Sequence, residues 1–290
     1  MFLILLSLFE GEFFLVGVDA GSWGRGSTGI AYPTTGYKNP ASSLVIDPCV
    51  YFTGSKLFGD LANYLSGGVS LNQGDYGFGV HFVFHSVGNI TDTRNAWDDE
   101  DGDGYYDPGE EIYEDEELKS SFSSREGAVF STYSRWIGDF SMGIGLKFIY
   151  KKIHEAVAVG AGTDLGIIYQ KEEYSIGASI KDITTSPLFW DGRTEHISPS
   201  YQIGIGLKKK VGKIPVLMEV NLIQDDYGFN HNLGIEIGMN EWLKLRTGFF
   251  NDQLTAGFGI EKLPFLVDYA LNMHDELSMS HRVSLLYRLK

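Results

Sequence analysis

A chain of 290 residues with 43% hydrophobic and 21% charged residues has the composition of a folded protein. Its single cysteine, Cys49, excludes a disulfide framework and any cysteine-built zinc site. The net charge of −15 is a local feature: twelve acids lie between Asp98 and Glu117 with no Lys or Arg among them, and the remainder carries only −3, with no basic patch beyond Lys208-Lys209-Lys210 to suggest nucleic acid.

Residues 1–20 read as an atypical signal peptide. An apolar run from Met1 to Phe9 resumes at Phe13 to Val18, and Val18-Asp19-Ala20 supplies small residues of cleavage type. Glu10 and Glu12 interrupt the run, and no basic residue precedes Arg25. No apolar stretch reaches the ~18 residues a spanning helix needs, which excludes a polytopic helical membrane protein.

From Pro48 onward the pattern has period two, the mark of strands with unlike faces. Phe140, Met142, Ile144, Leu146, Phe148 and Tyr150 share one face, and Ser141, Gly143, Gly145, Lys147 and Ile149 the other. Fourteen such segments are expected: 48–57, 62–73, 75–87, 125–136, 139–152, 157–171, 173–183, 197–210, 213–224, 229–239, 242–250, 253–262, 265–274 and 278–290. Most match the ~9–11 residues with which a tilted strand crosses a bilayer. The alternate connections are tight, and the two longest, 88–124 and 184–196, fall on the other side. That asymmetry belongs to outer-membrane barrels, and an even strand count puts both chain ends on the periplasmic side. The fold class expected is therefore all-β, a transmembrane antiparallel barrel of about 14 strands. Trp136, Tyr150, Tyr169, Trp190, Trp242 and Tyr269 are candidates for the aromatic girdles. Many glycines share the polar-face parity, which suits a lumen with something packed inside it. So do Lys147, Asp164, Lys181, Lys208, Glu219, Glu236, Arg246, Glu261 and Asp268, read as a salt-bridge network inside the barrel.

The long acidic loop holds the strongest chemical motif. Counted from Asp99, carboxylates stand at positions 1, 3, 5, 9 and 12, with Gly104 at position 6, where a calcium loop turns sharply. Asp99, Asp101 and Asp103 would give single oxygens, Tyr105 its carbonyl, Asp107 a direct or water-bridged contact and Glu110 a bidentate clamp. The cofactor expected is a structural Ca2+ held by residues 99–110 on the outer side. No catalytic motif is present: there is no nucleophile elbow or phosphate loop, and His81 and His85 have no carboxylate signature to complete a metal site. The chain is not expected to be an enzyme.

Three stretches carry a family resemblance. They are Gly21 to Leu44 with its Asn39-Pro40-Ala41, Thr163-Asp164-Leu165-Gly166-Ile167-Ile168-Tyr169, and the closing Asp268-Tyr269-Ala270 with His281-Arg282-Val283-Ser284-Leu285. In their order and spacing they resemble the PorV/PorQ family of outer-membrane proteins, relatives of the FadL-type barrels. The resemblance covers residues 21–290 apart from the acidic loop. It implies that residues 21–47 fold into the lumen as a hatch, and that residues 48–290 form the barrel, with 88–124 as an outer loop. It also implies bacterial outer-membrane localisation, a setting of membrane lipid, and one of two roles. The first is an accessory or receptor barrel in type IX-like protein export, with exported proteins or secretion components as partners. The alternative is a FadL-like channel for hydrophobic small molecules. Fold does not choose between them. The mixed charge and glycine on the lumen parity favour the first.

Overall fold

In the computed structural model, residues 19–92, 119–226, 228–273 and 278–289 are described. They form β1 (Cys49–Leu57), β2 (Ala62–Gln73), β3 (Tyr76–Asp92), β4 (Ser120–Ile137), β5 (Phe140–Ile153), β6 (Ala156–Lys171), β7 (Tyr174–Lys181) and the short pair β8 (Ser186–Trp190) and β9 (Arg193–Ile197). The chain continues through β10 (Ser200–Val211), β11 (Ile214–Asp225), β12 (Gly228–Gly238), β13 (Leu243–Phe250), β14 (Gln253–Lys262), β15 (Phe265–Asn272) and β16 (Ser280–Arg288). Each strand of the wall pairs antiparallel with its neighbours. β7 pairs with β10, and β1 pairs with β16 from Cys49 opposite Arg288, which closes a fourteen-stranded ring. The wall strands correspond to the fourteen expected segments, with β3 and β4 running further out than 75–87 and 125–136.

The alternation is inverted relative to a soluble sandwich. Phe148 is 68% exposed on the outer face, and Phe52, Ile144, Ile205 and Val283 are exposed with it. The buried positions are largely polar: Ser66, Ser141, Lys147 at 2% exposure, Glu219 and Asn221. A soluble sheet would bury its apolar face and wet its polar one. An apolar face all the way round is the surface of a barrel whose solvent is hydrocarbon.

The connection 184–196 is not a bare loop. β7 ends at Lys181, which leaves the outer part of β6 without a neighbour on that side. β8 returns along it, pairing Leu188, Phe189 and Trp190 with Gly160, Val159 and Ala158, and β9 folds back onto β8. Strands of five residues carry too little alternation to be read from sequence. They form here because an open ladder edge offers unpaired backbone groups.

Asp19 to Ile46 lies inside the ring, and the exposed Asp47 leads out to β1. The inner segment contains α1 (Ala20–Gly24), capped by Asp19 accepting from the Ser22 N–H at 2.7 Å, and a 3-10 turn over Pro40–Leu44, capped by Asn39. Asp19 and Ala20, at the end of the expected signal segment, are buried parts of this hatch. Gly143 and Gly166 let it approach the wall. A Cβ on Gly143 would overlap the Pro40 carbonyl, and one on Gly166 the Asn39 side chain.

Candidate functional site: a plugged lumen with an apolar seam

Polar side chains on β7, β11, β12, β14 and β16 hold the first arm of the hatch. Glu219 Oε1 accepts from the N–H groups of Gly29 (3.1 Å), Ala31 (2.9 Å) and Tyr32 (3.4 Å). A carboxylate collecting several backbone donors is a strong anchor, since charge-assisted bonds outweigh neutral ones. Ser175 donates to the Ala31 carbonyl at 2.7 Å, and Asn232 to the Ser27 carbonyl at 3.2 Å. Thr255 accepts from Gly26 N–H at 2.9 Å, and Ser284 from Ala20 N–H at 2.7 Å. Within the hatch, Lys38 donates to the Ser27 carbonyl and, at 2.8 Å, to its hydroxyl. Desolvation lowers the Lys38 ammonium to about 8.

The motif residues Asn39-Pro40-Ala41 seat the second arm. Asn39 is fully buried and satisfied: Oδ1 accepts from Ala41 N–H at 3.0 Å, and Nδ2 faces the carbonyls of Ile30, Ile167 and Ala178 at 3.2–3.3 Å. Asp164 centres a buried cluster with Lys147 (3.0 Å) and Lys181 (3.3 Å), and Lys147 also pairs with Asp182 at 2.6 Å. Lys181 donates to the Tyr37 carbonyl at 3.2 Å and so ties this cluster to the hatch. Asp268 pairs with Arg246 at 2.5 Å, and Arg246 with Glu236 at 2.7 Å. Arg282 lies buried over the rings of Trp23 (4.2 Å) and Tyr64 (5.0 Å). Tyr269 and His281 are joined at 2.7 Å between Tyr Oη and Nδ1, on the outward face of β15 and β16, away from the lumen. The candidate calcium ligands Asp99, Asp101, Asp103, Tyr105, Asp107 and Glu110 lie outside the described residues.

The charges are not the whole lumen. One contiguous apolar cluster runs along the β1–β6 side. It starts with Cys49, Leu266 and Leu286 near the chain ends. It continues through Tyr51, Tyr64, Val83 and Phe130, and reaches Leu57, Ile149, Ala158, Leu188 and Ile197 at the far rim. Tyr37 of the hatch is part of it, packed edge-on against Phe130 at 4.9 Å. The ion pairs expected among Lys147, Asp164, Lys181, Glu236, Arg246 and Asp268 are present, and what the sequence reading missed is this apolar cluster, which shares the β1–β6 wall with Lys147, His81 and the Lys151–Glu126 pair. The inward parity of Leu57, Tyr64, Val83, Phe130 and Ile149 was the available signal. Trp190, expected in an interface girdle, instead packs against this seam and donates to Glu195 at 2.7 Å. His81 lies in the lumen against the Tyr51 hydroxyl at 3.2 Å. Among the described residues no group of three or more His, Cys, Asp or Glu side chains is placed to hold a metal.

These features define the class: a transmembrane fourteen-stranded barrel, plugged by its own N-terminal segment, with an apolar seam beside the plug. Solved structures share the fold. The toluene transporter TbuX of Ralstonia pickettii is similar with a TM-score of 0.63 at 13% identity, covering 96% of this chain and 100% of its own. The toluene transporter TodX of Pseudomonas putida gives 0.57 at 12% identity, covering 93% and 96%. A FadL homologue of Pseudomonas aeruginosa gives 0.56 at 10%, covering 94% and 98%. The fold is thus that of the FadL-type barrels. No protein-family model matches the sequence, and no curated protein does.

Proposed function

We propose that this protein is a bacterial outer-membrane channel that passes hydrophobic small molecules inward. The observation that carries the reading is the apolar seam, which runs from the far rim past Tyr37 of the hatch to the end where the chain enters the wall. A hydrophobic solute needs a dry, apolar lining. The likeness to two toluene transporters supports this choice of cargo class. In this reading the long connections face outward, and the short turns and both chain ends face the periplasm. The apolar segment ahead of Asp19 acts as the export signal, since Asp19 and Ala20 are built into the hatch, and residues 99–110 bind a structural calcium ion; both readings rest on sequence pattern.

Uptake decides the matter. Cells lacking their own hydrocarbon channels, made to express this chain, should take up labelled toluene or a long-chain fatty acid faster than cells with an empty vector. The protein-export role implied by the PorV/PorQ resemblance makes the opposite forecast: no gain in uptake, and capture of exported proteins on the purified barrel. That result would replace the channel reading.

A further inference from the structure

At the end of the barrel where the chain enters and leaves the wall, beneath the hatch, lies a cavity of about 320 Å³. This is within the range of small-molecule sites. Five cations line it: Arg25 from the hatch, and Lys208, Lys244, Arg246 and Arg288 from the wall. Three are committed to carboxylates. Arg246 holds Glu236 and Asp268, Lys244 holds Glu261 at 2.6 Å, and Arg288 holds Glu261 and, at 3.2 Å, Asp47. The other two are not: among the described residues no carboxylate lies within 4.0 Å of Arg25 or Lys208.

Arg25 is the more telling of the pair. It is 1% exposed, its Nη2 donates to the Tyr32 carbonyl at 3.2 Å, and its Nε meets no acceptor. A guanidinium cannot discharge itself by losing a proton, and the carboxylate Arg25 feels across the cavity, Glu236, is already held by Arg246 and stands beyond ion-pair distance from Arg25, so Arg25 is left with a donor to spare. Glu219 holds the neighbouring backbone through Gly29 and Ala31, and Gly234 packs directly under Arg25, so the side chain sits on a fixed stretch of hatch. The rest of the lining includes the carboxylates Glu236 and Asp47, each paired with a wall arginine, and the aliphatic Leu217, Leu266 and Leu286. Charge on one side and aliphatic wall on the other match a molecule with an anionic end and an apolar body.

The geometry points to a binding site for a small organic carboxylate in this cavity, its oxygens taken by Arg25 and Lys208 and its apolar part set against Leu217, Leu266 and Leu286. A planar carboxylate suits the planar donor fork of Arg25. The cavity shares Cys49, Leu266 and Leu286 with the near end of the seam, yet the proposal does not rest on the transport reading, because binding is measured on the full-length barrel in a neutral detergent with no transport step.

Calorimetric titration with benzoate is the test, with inorganic phosphate as the second probe and heat-modifiable mobility reporting that each variant is folded. Saturable benzoate binding is expected, weakened at least tenfold in Lys208→Gln and in Arg25→Lys, and unchanged in Lys209→Gln, whose ammonium lies 3.6 Å from Glu173. Arg25→Lys keeps the charge and removes the fork, so it reports recognition rather than simple loss of a cation. Phosphate binding with the same dependence on Lys208 would support the site and show that the anionic end is the part recognised. Absence of saturable binding by either probe overturns the proposal, as does equal binding by Lys208→Gln and the parent. A channel that moves toluene but binds no benzoate would lose the site and keep its function. One that binds benzoate but moves no toluene would do the reverse.

Discussion

The two sides of this barrel are built differently. β3 to β6 are 14 to 18 residues long, and their inward positions toward the far rim combine apolar residues such as Val83 and Ile149 with the Lys151–Glu126 pair. β13 to β16 are 8 to 10 residues long, and their side of the lumen is given to ion pairs and hydroxyls facing the hatch. The hatch is hydrogen-bonded to β7, β11, β12, β14 and β16, and on the other side it is seated on β5 and β6 through Ser141 donating to the Ala41 carbonyl at 2.7 Å and Asn39 donating to the Ile167 carbonyl, and on β2 and β4 through Asn72 donating to the Ile46 carbonyl at 3.0 Å and the Tyr37–Phe130 contact. Holding a plug needs directional bonds with defined partners, whereas passing a greasy molecule needs a surface without them. The division is one of degree, since β4 to β6 also carry the buried pairs Lys147–Asp164 and Lys151–Glu126.

The comparison breaks most visibly at Glu219. Three charge-assisted bonds converge on one oxygen, each worth roughly 1.5–3 kcal/mol, so Glu219→Ala is expected to cost the hatch about 4 kcal/mol of docking free energy. In planar bilayers the variant should show conductance steps that the parent lacks, and the segment 19–47 should become sensitive to protease while the wall stays intact. Equal conductance would mean that the polar side does not hold the hatch.

On the apolar side, Tyr37→Ala removes a ring from the seam without touching the Glu219 anchor. Deleting a buried aromatic costs about 3 kcal/mol. Here the gap opens beside the hatch, and uptake of toluene should rise several-fold with no ion conductance. Conductance without selective uptake would show that Tyr37 is part of the plug's anchorage and not of a solute path.

A smaller effect sharpens the seating of the Asn39-Pro40-Ala41 turn. Gly143→Ala drives a methyl into the Pro40 carbonyl and should cost about 1–3 kcal/mol. Gly145→Ala places its methyl 3.5 Å from Pro40 Cγ, an ordinary contact, and should stay within about 0.5 kcal/mol. Thermal melts of the two variants in detergent measure the difference, and equal losses would mean that the hatch does not rest on β5.

The smallest effect on the barrel is forecast for the acidic loop. Glu110→Gln should weaken calcium binding strongly, since it removes a charge and half the clamp, yet leave the barrel melt unchanged. Titration of the whole protein with calcium checks both halves. Binding by the variant equal to that of the parent would reduce residues 99–110 to an acidic surface.

Strand number, wall closure and the inward or outward sense of nearly every side chain were legible in the sequence, because a period of two survives any tertiary arrangement. The glycines on the lumen parity announced a close neighbour before the neighbour was seen, since a strand gives up side chains only where something takes their place. The hairpin β8–β9 was not legible, because its cause lies in the edge left by β7 and not in its own residues. Neither was the lumen's division of labour. Phe130 and Leu188 are 58 positions apart in the chain and join one apolar cluster only when β4 and the hairpin are brought to the same side of the ring. The pairing of cations is decided at the same level. Arg246, Lys244 and Arg288 find carboxylates because β12 to β16 stand in register, while Arg25 rides on the hatch and Lys208 on β10, where the register supplies none. Periodicity sets which way a side chain points; what it faces depends on strand order and on where the hatch comes to rest.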